Sequence, residues 1–463
     1  MLGLLTAAVM TAGLAGCGGS EDTLALAITD ASGNPVAVQI NTAAQIAQVS
    51  DDDYDNNLNG LITGATLKRW KDNWVTERPA GVTGKLVILQ LAAGAAGNEY
   101  ISSSDPNVYT YLISSSELVQ TRSNGVVTTV SMVPDGATVD AFLATYNIDP
   151  TRDMIVCAMG GGSNPLAMQQ GRCWYMLRYW GVAKDHLALL NGSNAWQVTS
   201  GGMVGGDFAA TADTAPGTGT ASVRQLPQDN TALQATLQDV MAVTTAIDQN
   251  NLNDGVFIWD ARNAAQYGGT GFQNNGSRAG HPNGALLLDY SNLLVAAEGY
   301  RYKDKADLQN YLNGDTDGGG NGFVDAIGLL GSGNAYQSGD TVITYCETTF
   351  RAMVTGVATG VILGLPTRFY DGAMTEWNSM SNIVAWDGMP ILPADSQWRT
   401  DTVDRSFFIQ AADPNNIAPR TIDDPYATNA QAIILADKNY KRGSSGGSGS
   451  GGGGGLPPNP CGG

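Results

Sequence analysis

Short aliphatic and β-branched runs, each stopped by a polar or glycine-rich turn, alternate along the chain with stretches whose apolar residues recur at helical spacing. Gly255-Val256-Phe257-Ile258-Trp259-Asp260-Ala261-Arg262 reads as a buried strand ending in a charged pair, and residues 278–285 as a Gly/Pro turn before a new strand at 286–288. A helix is expected around 303–311. The run Thr341-Val342-Ile343-Thr344-Tyr345-Cys346 follows, then a helix reaching Leu363 and a short strand at Phe369-Tyr370. Strands alternating with helices predict an α/β fold with a parallel sheet. The pattern occurs twice. Met154-Ile155-Val156-Cys157-Ala158 is a matching strand, residues 173–181 match the following helix, and 189–196 match 369–377. Such self-similarity is the mark of an internal repeat. Trp174, Tyr175, Tyr179 and Trp180 stand at helical spacing and are expected to be core.

Composition shifts divide the chain. Residues 1–17 form an apolar, small-residue leader ending Leu14-Ala15-Gly16-Cys17, and residues 18–34 read as a tether. A first globular region covers 35–200, a Gly/Ala/Thr/Pro-rich linker 201–229, and a second region 230–382. Residues 383–442 hold Trp386 and Trp398 and are expected to pack on the core. Residues 443–455 contain only Gly and Ser, so the closing segment 443–463, with Cys461 near its end, is expected to be flexible.

The chain has 463 residues, enough for two or three domains, and its 43% hydrophobic content is ordinary for a protein with a real core. Its 43 acidic against 24 basic residues leave a net charge of −19, which argues against nucleic acid as a partner. With only His186 and His281, a His-rich metal centre or a Ser-His-Asp triad is not expected. The Leu14–Cys17 stretch matches a bacterial lipobox, whose cysteine is lipidated, although no Lys or Arg precedes the apolar run. Lipidation of Cys17 implies an envelope protein anchored in a membrane by lipid. Gly18 after it implies the outer membrane. That compartment permits disulfides, and Cys157 and Cys173 could pair, though spacing alone does not fix connectivity.

Cys346 carries the candidate chemistry. A β-branched run delivers its thiol to the carboxyl end of a strand, just before a helix. Amides at a helix N-terminus favour an anion, so the thiol is expected to work as a thiolate nucleophile.

These residues together resemble the two-domain rhodanese (sulfurtransferase) family. The second region carries Asp260-Ala261-Arg262 and the turn Gly280-His281-Pro282-Asn283-Gly284-Ala285. It also carries the Cys346 loop and the Asp371-Gly372 turn with Trp377. The resemblance covers 230–382 well, 140–200 fairly and 35–140 loosely. It implies two tandem rhodanese-like α/β domains, each a mainly parallel sheet flanked by helices, and no cofactor. It makes Cys346 the persulfide-forming cysteine, with Cys346, Glu347, Thr348, Thr349, Phe350 and Arg351 as its loop. Arg262, Arg278 and Arg351 are candidates to orient an anionic donor, and Arg262 equally to pair with Asp260. The implied partners are a sulfane sulfur donor and a thiol acceptor. In the first domain the position equivalent to Cys346 is expected at Ala158, which makes that domain silent.

Two departures bear on the chemistry. Glu347 stands where thiosulfate-using relatives carry basic residues, and a carboxylate there repels a dianion. Thr349 stands where a glycine is common, and a β-branched residue fits an unusual backbone angle less well. The alternative reading is a non-enzymatic accessory lipoprotein that uses the fold as a binding platform. Long rhodanese-like lipoproteins occur in metal-reducing bacteria beside outer-membrane cytochrome complexes, so the partner would then be an outer-membrane electron-transfer or oxyanion-handling complex. Separately, Asp55, Asn57 and Asn59, with Gly60 and Ile62, follow the start of a calcium loop, but position 12 is Thr66 rather than a bidentate Glu. A plain Asx-rich turn is the other reading.

Overall fold

The computed structural model describes residues 28–29, 35–36, 38–269, 280–381, 396–398 and 430–442. Cys17, Arg278, Trp386 and Cys461 lie outside the described residues.

Ten strands build two sheets. The first holds β1 (Gly60–Ile62), β2 (Leu86–Gln90), β3 (Val108–Leu112), β4 (Met154–Ala158) and β5 (Leu187–Leu190). The second holds β6 (Gln234–Ala235), β7 (Val256–Asp260), β8 (Leu286–Leu287), β9 (Thr341–Tyr345) and β10 (Thr367–Tyr370). Strand order is β1-β5-β4-β2-β3 in one and β6-β10-β9-β7-β8 in the other, with every pair parallel. The same order twice makes the chain a tandem pair of matching α/β units. The central strands are apolar without alternation because helices cover both faces. All five residues of β2 and of β4 are buried.

The helices used below are α1 (Gly64–Asp72), α2 (Gly136–Thr145), α3 (Asn164–Tyr179), α4 (Lys305–Asn313), α5 (Phe350–Val357), α6 (Ala373–Ser381) and α7 (Ala432–Lys441). α5 runs on into a π-helical turn, Ala358–Ile362. α3 starts at Asn164, nine residues before the aromatic run that marks it in the sequence, because Ser163 caps it and Pro165 suits its first turn. None of the described helices is long and apolar enough to cross a membrane.

The halves meet along α3 and α5, the helices that follow the equivalent strands β4 and β9. Their backbones come close at Gly171, where a Cβ would lie 2.8 Å from Met353 Cβ. Tyr175 of α3 packs on Phe369 of β10 with ring centroids 4.7 Å apart. Trp174, Tyr175, Tyr179 and Trp180 are all buried in one core that spans both halves.

Each half ties its strand to its helix by different chemistry at one register position. In the first, Cys157 of β4 is disulfide-bonded to Cys173 of α3. In the second, the Thr344 hydroxyl of β9 meets the Thr355 hydroxyl of α5. The ladders correct the expected equivalence of Ala158 with Cys346. Ile155 pairs with Leu187 as Val342 pairs with Thr367, and the Ala158 and Tyr345 carbonyls accept from Leu91 and Ala261. Ala158 therefore matches Tyr345, and the residue matching Cys346 is Met159, also buried.

Residues 201–229 do more than connect. Phe208–Ala209 pairs with Tyr100–Ile101, and the Asp213 carboxylate and amide bond the amide and carbonyl of Thr110 on edge strand β3. The segment is laid along the first sheet and covers its open edge. Of 383–442, Trp398 donates its indole N–H to the Met241 carbonyl. Within α7, Asp437 pairs with Arg122 at 2.7 Å and Tyr440 donates to Asp140 at 2.6 Å.

The helix contact yields a test. Alanine in place of glycine inside a helix ordinarily stabilises by about 1 kcal/mol. Gly171→Ala is expected to do the reverse, lowering urea-unfolding stability by about 1–3 kcal/mol as the α3–α5 contact is overpacked. A neutral or stabilising result would mean that the helices do not meet there.

Candidate active site

Cys346 follows the last residue of β9, as its sequence position implied. It is the free cysteine among the described residues and is 1% exposed, packed between Ala261 and Ala352 with Tyr290 against them. The loop is short, and α5 begins at Phe350.

Three sets of contacts hold the loop. The Met374 amide donates to the Cys346 carbonyl at 3.1 Å. The Thr375 amide and hydroxyl donate to the Glu347 carbonyl at 3.1 and 2.8 Å. Both donors lie at the start of α6, so the helix that follows the Asp371-Gly372 turn presents its first amides to the loop. Third, Thr349 takes the left-handed conformation at φ +64°, the angle at which a threonine is strained. Its hydroxyl donates to the Tyr370 and Asp371 carbonyls at 3.0 and 2.7 Å, which offsets the strain and explains how a threonine serves here.

That use of the hydroxyl has a consequence. Thr349 is the N-cap of α5, yet its side chain makes no capping bond. The first amides of a helix have no partner inside it. Beside Cys346 these amides are left uncapped, whereas α3 in the first half is closed by the Ser163 hydroxyl on the Leu166 amide at 3.3 Å. The first half thus lacks both the thiol and the uncapped helix start. The Gly299 carbonyl accepts from the Ser193 amide there, and Tyr300 leans on Gly162.

The sequence-nominated arginines have separate fates. Arg262 is buried, and its Nε and Nη2 hold the Asp260 carboxylate, with Nη2 at 2.7 Å. Nη2 also donates to the Gly280 carbonyl at 2.6 Å, and Nη1 lies 3.4 Å from Glu347 Oε2. The guanidinium is thus spent on protein acceptors rather than offered to a donor, and its ion pair with Asp260 is present. Burial works to lower its pKa, but the carboxylates of Asp260 and Glu347 outweigh that and hold it raised. Glu347 is itself buried, with its charge set against Arg262 instead of toward solvent. Arg351 is half-buried and donates to the Gln266 side-chain oxygen. Thr348 and Phe350 are also half-buried, so with Arg351 they form the outer part of the loop. His281 is structural. Its ring stacks on Tyr267 at 3.5 Å and bonds Asp248 at 2.9 Å, which fixes the turn supplying the Gly280 carbonyl.

Of the nominated calcium ligands Asp55, Asn57 and Asn59, the two asparagines have their side-chain oxygens on protein donors. Asn57 is buried, with its Oδ1 accepting from the Asp51 amide at 2.9 Å and its Nδ2 donating to the Leu61 carbonyl at 2.7 Å. The Asn59 oxygen accepts from Gln48 at 3.1 Å. Two of the three ligand oxygens are already used by protein donors, as in an Asx-rich turn. No group of three or more His, Cys, Asp or Glu side chains among the described residues is placed to hold a metal ion.

Sequence reasoning missed the pair that supports the site. Arg172 of α3 and Asp371 have fully buried side chains and are bonded to each other, with a second contact at 3.2 Å from Nη2 to Oδ2. Asp371 also accepts from the Val133 amide at 2.6 Å. The signal was an arginine at the start of an aromatic helix run, which demands a buried acceptor.

No protein-family model matches the sequence, and no curated protein matches it. Among solved structures, similarity is found to Tum1 from Saccharomyces cerevisiae at 15% identity and TM-score 0.48, over 69% of this chain and 95% of that one. YnjE is similar at 13% identity and TM-score 0.47, over 77% and 70% of the two chains. An anaerobic ergothioneine biosynthesis enzyme from Chlorobium limicola, solved with trimethyl histidine, is similar at 12% identity and TM-score 0.47, over 72% and 71%. Likeness at this level says nothing of substrate.

Two predictions follow from the supports of the loop. Arg172→Met leaves Asp371 buried without its cation and is expected to cost about 3–5 kcal/mol. It should also free the turn that pins the loop, so Cys346 should react faster with a thiol reagent than in the parent. Unchanged rate and stability would sink this account. The second concerns Glu376 of α6, whose carboxyl burial raises from 4.5 to about 7, with the nearby charge of Asp371 adding to the shift and Asn124 opposing it. A raised folded pKa means that the native state binds the proton more tightly. Stability is then full below about pH 4.5 and is lost as pH rises through about 7. At about 1.4 kcal/mol per unit the loss is at most about 3.5 kcal/mol. Glu376→Gln should flatten chemical-denaturation stability between those limits, and an unaltered slope would assign it elsewhere.

Proposed function

We propose that the chain is a sulfur-transfer protein with one working site, Cys346. The observation that carries this is the asymmetry between the halves. A free thiol ends β9 against an uncapped helix start, while the matching place in the first half holds Met159 before a capped helix. In this reading the Cys346 thiolate attacks the outer sulfur of a sulfane donor. A new S–S bond forms to Cys346 as the donor's own bond to that sulfur breaks, and the leaving group departs with the electron pair. The Cys346 persulfide anion then rests against the first amides of α5. An acceptor thiolate takes its outer sulfur and regenerates the Cys346 thiolate. The double displacement needs no cofactor and predicts ping-pong kinetics.

The donor follows from the charges. Arg262, the guanidinium deep in the site among the described residues, is neutralised by Asp260 and Glu347, so a dianion such as thiosulfate gains little there. Less charged donors, mercaptopyruvate or a low-molecular-weight persulfide, fit better. Arg351 remains as the outer cation. The lipobox at Cys17 and the Cys157–Cys173 disulfide support an envelope location with a lipid anchor, since disulfides persist in oxidising compartments.

A second reading has its own observation. Cys346 is 1% exposed and its neighbour Glu347 is buried beside it, an arrangement that also suits a binding platform with a silent thiol. Incubation of the protein with thiosulfate, mercaptopyruvate and a small-molecule persulfide separates the two. The transfer reading expects a gain of about 32 Da, one sulfur atom, on the Cys346 peptide, reversed by dithiothreitol and absent in Cys346→Ser. No adduct from any donor would reject it and leave the binding platform.

A further inference from the structure

We propose that Tyr290 is a catalytic residue of the Cys346 site, whose hydroxyl donates a hydrogen bond to the atom that leaves the donor as Cys346 takes up its outer sulfur. The proposal rests on the sulfur-transfer reading and adds to it the group that stabilises the leaving atom. Tyr290 opens a turn of 3₁₀ helix, Tyr290–Leu293, against which α5 packs. Its amide donates to the Ala261 carbonyl at 3.3 Å, and the Ala261 amide donates to the Tyr345 carbonyl at 2.9 Å. Backbone bonds therefore tie Tyr290 to the residue just before the thiol. The turn is pinned on either side as well. The Trp259 indole N–H donates to the Leu288 carbonyl at 2.8 Å, and Leu293 is fully buried. The Tyr290 ring packs on the small cluster of Ala261, Cys346 and Ala352. Both alanines are fully buried and Tyr290 is half-buried, so of these three neighbours of the thiol it is the one an incoming donor can meet.

The hydroxyl is unspent. Tyr267, Tyr311 and Tyr345 of the same half donate theirs to the Ala285 carbonyl, to Asp317 and to Asp260. That of Tyr290 makes no hydrogen bond among the described residues. Burial, above all, raises its pKa, with Asp289, Cys346 and Tyr300 adding to the shift and the Arg351 guanidinium opposing it. At neutral pH the group is therefore a phenol with a proton to share, not a phenolate. With a persulfide R–S–SH, the Cys346 thiolate forms a bond to the outer sulfur as the S–S bond breaks. The electron pair goes to the inner sulfur, giving Cys346–S–SH and RS⁻. The Tyr290 proton stays on its oxygen and faces the inner sulfur, where charge develops. A hydrogen bond that strengthens as the charge grows lowers the barrier rather than only binding the donor. It counts most when the leaving group is a basic alkyl thiolate and least when it is a weak base such as a sulfinate.

The test compares Tyr290→Phe with the parent in the full chain, each rate being measured on the Cys346 peptide. Phenylalanine keeps the ring against Cys346 and removes only the hydroxyl. Sulfur uptake is followed from glutathione persulfide, whose leaving group is an alkyl thiolate, and from benzenethiosulfonate, whose leaving group is a sulfinate. Alkylation by N-ethylmaleimide, an addition with no leaving group, reports on the thiol itself, and thermal unfolding reports on the fold. Uptake from the persulfide is expected to fall by about tenfold or more, while uptake from the thiosulfonate and alkylation stay within about twofold of the parent. Equal slowing with all three reagents would make Tyr290 a support of the loop and overturn the proposal. Unchanged uptake from the persulfide would leave the hydroxyl without a role and overturn it equally. A parent chain that takes sulfur from neither donor overturns the transfer reading and this one with it, an outcome recognised in the parent alone.

Discussion

The buried pair of Arg172 and Asp371 is the constraint on which the rest of the structure depends. One partner belongs to the helix that joins the halves, the other to the turn that holds the thiol loop. Neither charge reaches solvent, so neither half can move from the other without exposing an unpaired ion in a low-dielectric core. Arg172 also donates to the Leu118 and Ser131 carbonyls, and Asp371 accepts from the Val133 amide. The first half thereby fixes the turn, the turn's carbonyl anchors Thr349, and Thr349 sets the start of α5. The first half thus supplies the cation that positions the thiol loop of the second.

The two halves show how one topology is specialised by a few contacts. Strand order and register are shared, and so is the place where strand grips helix. One half makes that grip covalent and the other makes it with two hydroxyls. After the strand, the first half spends its serine on capping α3, whereas the second spends its threonine on the neighbouring turn and leaves α5 uncapped. The two sites differ in the side chain after the strand, Met159 against Cys346, and in where a nearby hydroxyl points.

Much of this was legible beforehand. The Cys346 strand, the Asp371-Gly372 turn and the repeat are local patterns, and local patterns survive translation into structure because backbone geometry is short-range. The ion pair of Asp260 with Arg262 was also readable, two residues apart at the end of one strand. The offset between Ala158 and Met159 was not, because register between copies depends on ladder hydrogen bonds that no single strand reveals. The surroundings of the candidate calcium ligands were hidden for a related reason. Ligand spacing at Asp55, Asn57 and Asn59 is local, but whether their oxygens are free depends on Asp51 and Gln48, which spacing does not consult.

What the sequence determined by itself was the α/β alternation, the doubling and the position of the thiol at a strand end. Each follows from periodicity and turn chemistry within about twenty residues. Tertiary structure alone decided that the thiol is covered, that Glu347 is neutralised by Arg262, and that Arg172 reaches across to Asp371. Burial and charge pairing are properties of surfaces brought together by folding, and those surfaces come from residues as far apart as 172 and 371. Position was therefore written in the chain, while environment, which governs what a thiol can do, was written in the packing.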